Sequence, residues 1–396
     1  MTKLYNTQTE ITNKFREFLK KYIPSLRKTQ LNIIPEILFG MIASESVVST
    51  DIAKCLKNEF SFIQLESVQR RIRRFFNNEL FDHEDFYNSL IISVISQYKI
   101  KHKDKRIHIT FDYMFSHDNY VTLMFTMRVG KQGIPIWFKS FKQEYINKKI
   151  STEKGGTIAF NESLIIEGIK HISALFNESF DLIFLADRWF NSEKILSTIA
   201  SLGHTYCIRL KKNIKIFIHD KKEGHKIWKW LSDLPSHKYH AIVHKNIELY
   251  DTKYKTNIVI SKYLNTKDPW IIVTNKDVKH AIQNYSHRFG SIECVFKNQK
   301  SNGLYLEAIN NASEKAYNTM YTMACTVVLF LTVLGTEYSK NPKCYRNEKI
   351  VTHKVYKNKG KVKFMSLFRI GLTLFHQAVN STKYIRLPIR FILYDI

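Results

Sequence analysis

The strongest constraint on the fold is the order of strands and helices in the middle of the chain. Three strand-like segments follow one another from about residue 105, in RIHITFD, YVTLMFTMRVG and GIPIWFKSFKQ. After a polar loop in EKGGTIAF come a helix in NESLIIEGIKHISALF with Asn161 as its N-cap, a strand in FDLIFLAD, a helix in NSEKILSTIASLG and a strand in HTYCIRLKK. This order predicts an α/β fold in which helices flank a mixed sheet of three antiparallel strands extended by parallel ones.

The remaining segments divide the chain further. Residues 213–280 contain four segments that alternate or are rich in β-branched residues, which predicts a β-rich insertion. Helical periodicity returns over residues 281–338, so residues 105–212 and 281–338 together are expected to form one RNase H-like core. The apolar run Met323–Gly335 is too short to span a bilayer comfortably and is predicted to be a buried core helix. Residues 339–396 form a basic C-terminal region.

Residues 1–104 are predicted to form an all-helical N-terminal domain with a helix-turn-helix. The short helix IAKCL is followed, after a turn, by a second helix over about Glu66–Phe76. Helical spacing places Arg70, Arg73 and Arg74 along one side of this second helix, where they would contact DNA phosphates or guanine edges. The alternative is a basic helix that faces only solvent.

The net charge identifies the class of partner. The chain has 396 residues and a formal charge of +26 at pH 7, which predicts a polyanion as the partner, nucleic acid before an anionic membrane. The five cysteines form no CxxC pair, which indicates a reducing cytoplasm rather than a disulfide framework or a zinc knuckle.

Three acidic residues occupy the positions where such a fold would carry out chemistry. Asp112 and Asp187 each end an apolar strand, so their side chains should converge if the two strands are neighbours. Neighbouring carboxylates repel each other, and a pair of Mg²⁺ ions resolves the repulsion while polarising a phosphodiester; Mn²⁺ can substitute. Glu293, on the first helix after the insertion, would complete the ligand set. Taken singly, each aspartate is equally well explained as a turn former or a helix cap.

These residues resemble a known family. The segments ITFD, LADRWF and YSHRFGSIECVFKNQK are similar to those of bacterial insertion-sequence DDE transposases with an RNase H-like core, in the branch with a β-strand insertion and a Y-x2-R-x3-E-x6-K signature. Tyr285 and Arg288 keep the first spacing, and Glu293 and Lys300 keep the last. Four residues rather than three separate Arg288 from Glu293, which is a departure from the signature.

The resemblance implies cut-and-paste DNA transposition by a cytoplasmic, nucleoid-associated enzyme. Asp112, Asp187 and Glu293 would hold two metal ions, and a homodimer would pair two terminal inverted repeats before transfer into target DNA. The cut often passes through a DNA hairpin in which a flipped base stacks on an aromatic residue. Residues expected to contact DNA are Arg188, Arg209, Lys211, Trp270, Tyr285, Arg288 and Lys300.

Several alternatives remain open from the sequence. Trp270 could equally be a sheet-packing residue, and the basic residues in CIRLKKN could be a solvated strand end. The protein could also be an inactive transposase-derived DNA-binding protein, or an RNase H-like nuclease that does not transpose.

Overall fold

The computed structural model confirms the α/β class: the chain folds around a mixed sheet with helices on both faces. The structure describes residues 2–56, 64–97, 106–116, 119–144, 156–176, 180–219, 224–237, 239–262, 268–301, 303–309, 312–341, 353–356 and 361–380. Within these ranges the large sheet has ten strands.

The first five strands follow the predicted order. They are β1 Arg106–Phe115, β2 Tyr120–Val129, β3 Gln132–Lys142, β4 Asp181–Ala186 and β5 Thr205–Arg209. β1, β2 and β3 are antiparallel neighbours, whereas β4 runs parallel to both β1 and β5. The spatial order β3-β2-β1-β4-β5 is therefore an antiparallel trio extended by two parallel strands, as the sequence predicts.

Five strands of the insertion continue this same sheet; the sequence predicts four of them, and the strand at 226–230 was not predicted. They are β6 Lys215–His219, β7 Lys226–Trp230, β8 Ile242–Leu249, β9 Tyr254–Ser261 and β10 Trp270–Thr274. β10 pairs antiparallel with β5, and β9, β8, β6 and β7 follow in that order. The open edge of β5 is covered in this way, which satisfies backbone groups that would otherwise be exposed.

Helices cover both faces of the central strands. One face carries α6 Gly156–Leu175 and α7 Glu193–Ser201, and the other carries α8 Ala281–Ser286, α9 Arg288–Lys300 and α10 Glu314–Lys340. A Cβ on Gly168 of α6 would lie 2.5 Å from the ring of Phe125, so α6 packs directly on β2. On the opposite face, the rings of Tyr120 and Tyr317 stack at 3.8 Å. This double coverage explains why the segment 182–186 is buried and uniformly apolar.

The N-terminal region is helical where the structure describes it. Its helices are α1 Thr2–Tyr22, α2 Lys28–Ser44, α3 Ser49–Leu56, α4 Leu65–Phe76 and α5 His83–Ser96. α3 and α4 match the two predicted helices of the helix-turn-helix, and the turn between them lies outside the described residues. The helices share one hydrophobic cluster with the sheet and α10: Phe15 packs on Phe330 of α10 at 4.9 Å, and the Tyr87 hydroxyl donates to the Pro135 carbonyl oxygen of β3 at 2.8 Å.

Several local predictions are wrong. The helix predicted to begin at Asn161 begins at Gly156, within the segment predicted to be a loop, and Asn161 accepts a hydrogen bond from Tyr113 instead of capping. The strand β1 does not end at Asp112 but runs on to Phe115, because β2 continues to pair with it. Glu293 lies on the second helix after the insertion, since a break at His287 separates α8 from α9.

The apolar run in the predicted core helix belongs to α10, which is long and apolar enough to cross a membrane by length and composition. Its most apolar stretch is entirely buried inside the protein, as expected of a core helix. The C-terminal helix α11 Leu367–Asn380 packs against it, after the hairpin β11 His353–Tyr356 and β12 Lys361–Phe364.

The α10–α11 crossing depends on two glycines. A Cβ on Gly371 would lie 1.9 Å from the Leu331 carbonyl oxygen, and a Cβ on Gly335 would lie 2.0 Å from that of Leu367.

We expect Gly371→Ala to lower the free energy of unfolding by about 1–3 kcal/mol, because the helices must separate. Chemical denaturation measures this. The control Thr373→Ala, on the same helix, removes only a bond to its own helix; equal losses in both variants would contradict the close crossing.

Candidate active site

Strand register brings the first two acids together. β1 and β4 pair in parallel with Thr110 opposite Leu185. Two positions further along each chain are Asp112, within β1, and Asp187, the first residue after β4. Because side chains two apart on a strand share a face, both carboxylates project to the same side at adjacent positions. The predicted convergence of these two residues follows from the pairing.

The third acid reaches the same place from a helix pressed onto the sheet. A Cβ on Gly290 of α9 would lie 2.7 Å from the Lys131 carbonyl oxygen, and one on Gly133 would lie 2.7 Å from the Ser291 hydroxyl. Ser291 also hydrogen-bonds to Thr126 at 3.1 Å. This close approach holds α9 across β1–β3, so that Glu293 faces the two aspartates. Sequence reasoning missed both glycines as positioning residues, although each stands beside a turn or helix start.

The guanidinium of Arg288 lies among the three acids. It donates to Asp112 at 2.5 Å and lies 3.5 Å from Glu293. The Arg288 side chain is only 8% exposed, against 26% for Asp112 and 53% for Glu293. The sequence predicts a DNA contact for Arg288, but in this structure the residue is the counter-ion of the carboxylates.

The electrostatics are those of crowded acids. Burial raises the pKa of Asp112, an effect that Arg288 opposes and that Asp187 reinforces. Burial likewise raises the pKa of Glu293, with Arg288 opposing and the two aspartates adding to the shift. Both carboxyl groups therefore favour a further cation near them.

The donor set suits a hard cation. Three carboxylates supply oxygen ligands only, which is the chemistry that Mg²⁺ and Mn²⁺ prefer. Among the residues that the structure describes, no three His, Cys, Asp or Glu side chains are already close enough together to hold an ion. Instead, the positive charge next to Asp112 and Glu293 is that of Arg288. The residues fit the metal provided that Arg288 releases Asp112.

The turn after Asp187 presents an aromatic residue that the sequence analysis did not select. Phe190 is buried against Phe111 and Tyr113, and its amide donates to the Asp187 carbonyl oxygen. Trp189 points the other way and is 75% exposed, with the Lys211 ammonium 4.0 Å from its ring centre. The signal was present in the sequence, since Trp189 lies within LADRWF. Asp187 does not cap the next helix; Ser192 does.

Trp270 of β10 packs against Tyr285 of α8 and Phe289 of α9. The Trp270 ring is 7% exposed, lies edge-on to Tyr285 at 5.3 Å and stacks on Phe289 at 5.4 Å. Burial raises the pKa of Tyr285 to about 12, and Asp187 adds to this shift while Arg288 and Arg209 oppose it. The structure thus favours the sheet-packing alternative for Trp270.

The remaining predicted DNA contacts fall into two groups. Lys300 donates to the Phe115 carbonyl oxygen at 2.6 Å and pairs with Glu307, so it is already engaged. Arg209 ends β5, partly buried. The exposed residues are Arg188 beside the acids, and Arg70, Arg73 and Arg74 along α4, whose other side buries Ile72, Phe75 and Phe76.

Comparison with known proteins adds no assignment. No protein-family model matches the chain, and its sequence matches no curated protein. The functional argument therefore depends on the residues and their geometry.

Arg288→Met is predicted to destabilise the protein in a pH-dependent way. At neutral pH it leaves Asp112 ionised and without its counter-ion, which we expect to cost on the order of 2 kcal/mol. The cost disappears when Asp112 binds a proton. The free energy of unfolding of the variant therefore approaches that of the wild type as pH falls through the raised pKa of Asp112. Thermal unfolding across pH measures this. The double variant with Asp112→Asn should recover most of the loss at pH 7; a difference independent of pH would contradict the ion pair.

Proposed function

We propose that the protein is a metal-dependent DNA transposase with an RNase H-like core, which cleaves at transposon ends and transfers strands. The observation that carries the proposal is the meeting of Asp112, Asp187 and Glu293 from β1, the end of β4 and α9. The strand order β3-β2-β1-β4-β5 supports the RNase H-like assignment, because the two aspartates then lie on the adjacent central strands.

Asp112, Asp187 and Glu293 would hold Mg²⁺ or Mn²⁺, which supplies activation of a water or 3′-hydroxyl and neutralises the phosphate. Arg288 would leave Asp112 when the cation arrives and would then be available to a phosphate oxygen. Arg288 already contacts two of the three acids, so a small movement of its side chain would bring it to a phosphate bound beside them.

The residues around the acids are suited to bind DNA. Arg188 and Lys211 would neutralise phosphates beside the cut. Arg188 follows Asp187 directly, and Lys211 lies over the ring of Trp189 in the same turn. We assign to Trp189 the base-stacking role that the resemblance gives to Trp270, because the Trp189 ring is exposed and the Trp270 ring is buried. Double-stranded terminal repeats, target DNA and a homodimer in the paired-end complex are part of the proposal.

A DNA-binding protein without catalysis is the second candidate. The ion pairs from Arg288 to Asp112 and Glu293 favour it, because they neutralise acids that a metal would otherwise neutralise. The two candidates differ in what divalent metal does, not in whether DNA binds.

A cleavage assay separates them. The substrate is a labelled duplex with the inverted repeat that flanks the gene, incubated with Mg²⁺, Mn²⁺ or EDTA. We expect metal-dependent cutting at the repeat end by the wild type, and a loss of at least about a thousandfold in Asp112→Asn, Asp187→Asn and Glu293→Gln with repeat binding retained. Binding without cutting under both metals would favour the second candidate, and cutting by any one variant would remove that residue from the metal site.

The proposed metal binding can also be tested without DNA. In metal-free buffer the raised pKa of Glu293 means that its charge lowers stability above the ordinary value of 4.5. Glu293→Gln should therefore have the higher Tm at neutral pH, with the difference vanishing below that value. Added Mg²⁺ should raise the Tm of the wild type more than that of the variant. Equal rises, measured by scanning fluorimetry, would show that Glu293 is not a ligand.

The α4 arginines give a separate test of DNA binding. Arg73→Ala should weaken binding to all DNA sequences and reduce the slope of log K against log salt by about 1, if Arg73 contacts one phosphate. Lys170→Ala, an exposed residue on α6, is the control with the same change of charge. Identical slopes for both variants, in fluorescence anisotropy titrations, would remove α4 from the DNA interface.

A further inference from the structure

The far end of the sheet carries an exposed surface that the proposed chemistry does not use. β6 and β7 pair so that Lys215 lies opposite Trp230 and Phe217 lies opposite Trp228. Opposite residues in an antiparallel pair share a face. We call the surface formed by Lys215, Phe217, Lys226, Trp228, Trp230 and Lys253 the hairpin face.

Its aromatic rings are not needed to fill the core. Trp228 and Trp230 are 41% and 43% exposed, and the rings of Trp228 and Phe217 lie 5.3 Å apart. Exposed tryptophans clustered on one face of an edge hairpin are costly in water and point to a ligand with flat apolar surfaces.

Lysines lie over these rings. The Lys215 ammonium is 4.6 Å from the centre of the Trp230 ring, and those of Lys253 and Lys226 are 5.2 Å and 5.8 Å from that of Phe217. Lys226 also pairs with Glu248 at 2.5 Å, which is the acid on this face in the β6–β8 register. The face therefore combines stacking surfaces with a positive charge excess.

This chemistry distinguishes between possible occupants. A second copy of the chain would bring like charge to the open edge of β7, which disfavours pairing of two such edges. A DNA duplex would engage the lysines but has no free base faces for the rings. Unpaired nucleotides satisfy both, because bases stack on aromatic residues while phosphates bind the displaced ammonium groups.

The hairpin face is connected to the candidate active site along the chain. The amides of Ser232 and Leu231, just after β7, donate to the carbonyl oxygens of Lys212 and Ile214 at 3.1 and 2.9 Å. The preceding residue, Lys211, lies over the Trp189 ring. A short stretch of chain and these two hydrogen bonds thus link the end of the hairpin to the residue that covers Trp189.

We propose that the hairpin face binds unpaired nucleotides of single-stranded DNA by stacking on Trp228 and Trp230. The proposal needs neither the carboxylates nor a metal, so it stands or fails separately from the proposed catalysis.

The test is a binding titration in EDTA with the full chain. The probes are a labelled oligothymidylate of about 20 nucleotides and a blunt duplex of the same length, followed by fluorescence anisotropy. We expect the double variant Trp228→Ala/Trp230→Ala to lose at least about tenfold in affinity for the oligothymidylate and little for the duplex. Trp228→Phe/Trp230→Phe, which keeps the stacking surfaces and guards against misfolding, should retain most of the binding.

Two controls define the surface. Tyr239→Ala removes an aromatic residue that is 80% exposed but outside the hairpin face, and should change neither affinity. Lys215→Gln should weaken oligothymidylate binding more than Lys229→Gln, because Lys229 lies on the opposite side of β7. Unchanged affinity in the double alanine variant, or equal losses for both probes, would overturn the proposal.

Discussion

The parallel pairing of β1 with β4 is the interaction on which the candidate site depends. Its register places Asp112 beside Asp187, and a shift by one residue would turn one of the two carboxylates to the opposite face of the sheet. The pairing is secured by burial, because α6 and α7 cover one face and α8 to α10 cover the other. The stability of the hydrophobic layers thus maintains an arrangement of charges that is unfavourable in itself.

Arg288 balances that arrangement. Its side chain is only 8% exposed and contacts two of the acids, so its positive charge offsets the repulsion between the buried carboxylates. In the proposed function, Arg288 must be able to move away from Asp112 when a cation binds. Arg288 starts α9 directly after the break at His287, which is where a helix has fewest backbone constraints.

Much of this architecture could be predicted from sequence because its signals are local. The buried run in β4, the β-rich pattern of β6, β8, β9 and β10 and the helical periodicity of α4 are each set by which side of an element is covered, whereas β7 was not predicted. The end of β1 could not be predicted, because its extension past Asp112 depends on pairing with β2. The start of α6 at Gly156 could not be predicted, because the glycines and threonine of EKGGTIAF favour a loop by their intrinsic propensities.

The convergence of the three acids could be predicted from sequence, whereas the directions of the basic and aromatic side chains could not. Asp112 and Asp187 come together because β1 and β4 are neighbouring parallel strands, which the order of elements predicts. The contacts of Arg288, Trp270 and Trp189 depend on the direction in which each side chain points. That direction is set by the packing of α8, α9 and the turn after β4. One-dimensional spacing carries no information on that packing.

We propose that Asp112, Asp187 and Glu293 form one metal centre. The most direct measurement is anomalous diffraction from crystals of the protein bound to repeat-end DNA and soaked in Mn²⁺. We expect anomalous density among the three carboxylates, with Arg288 withdrawn from Asp112 toward a phosphate. Well-ordered DNA with Arg288 still paired to Asp112, and no manganese between the acids, would contradict it.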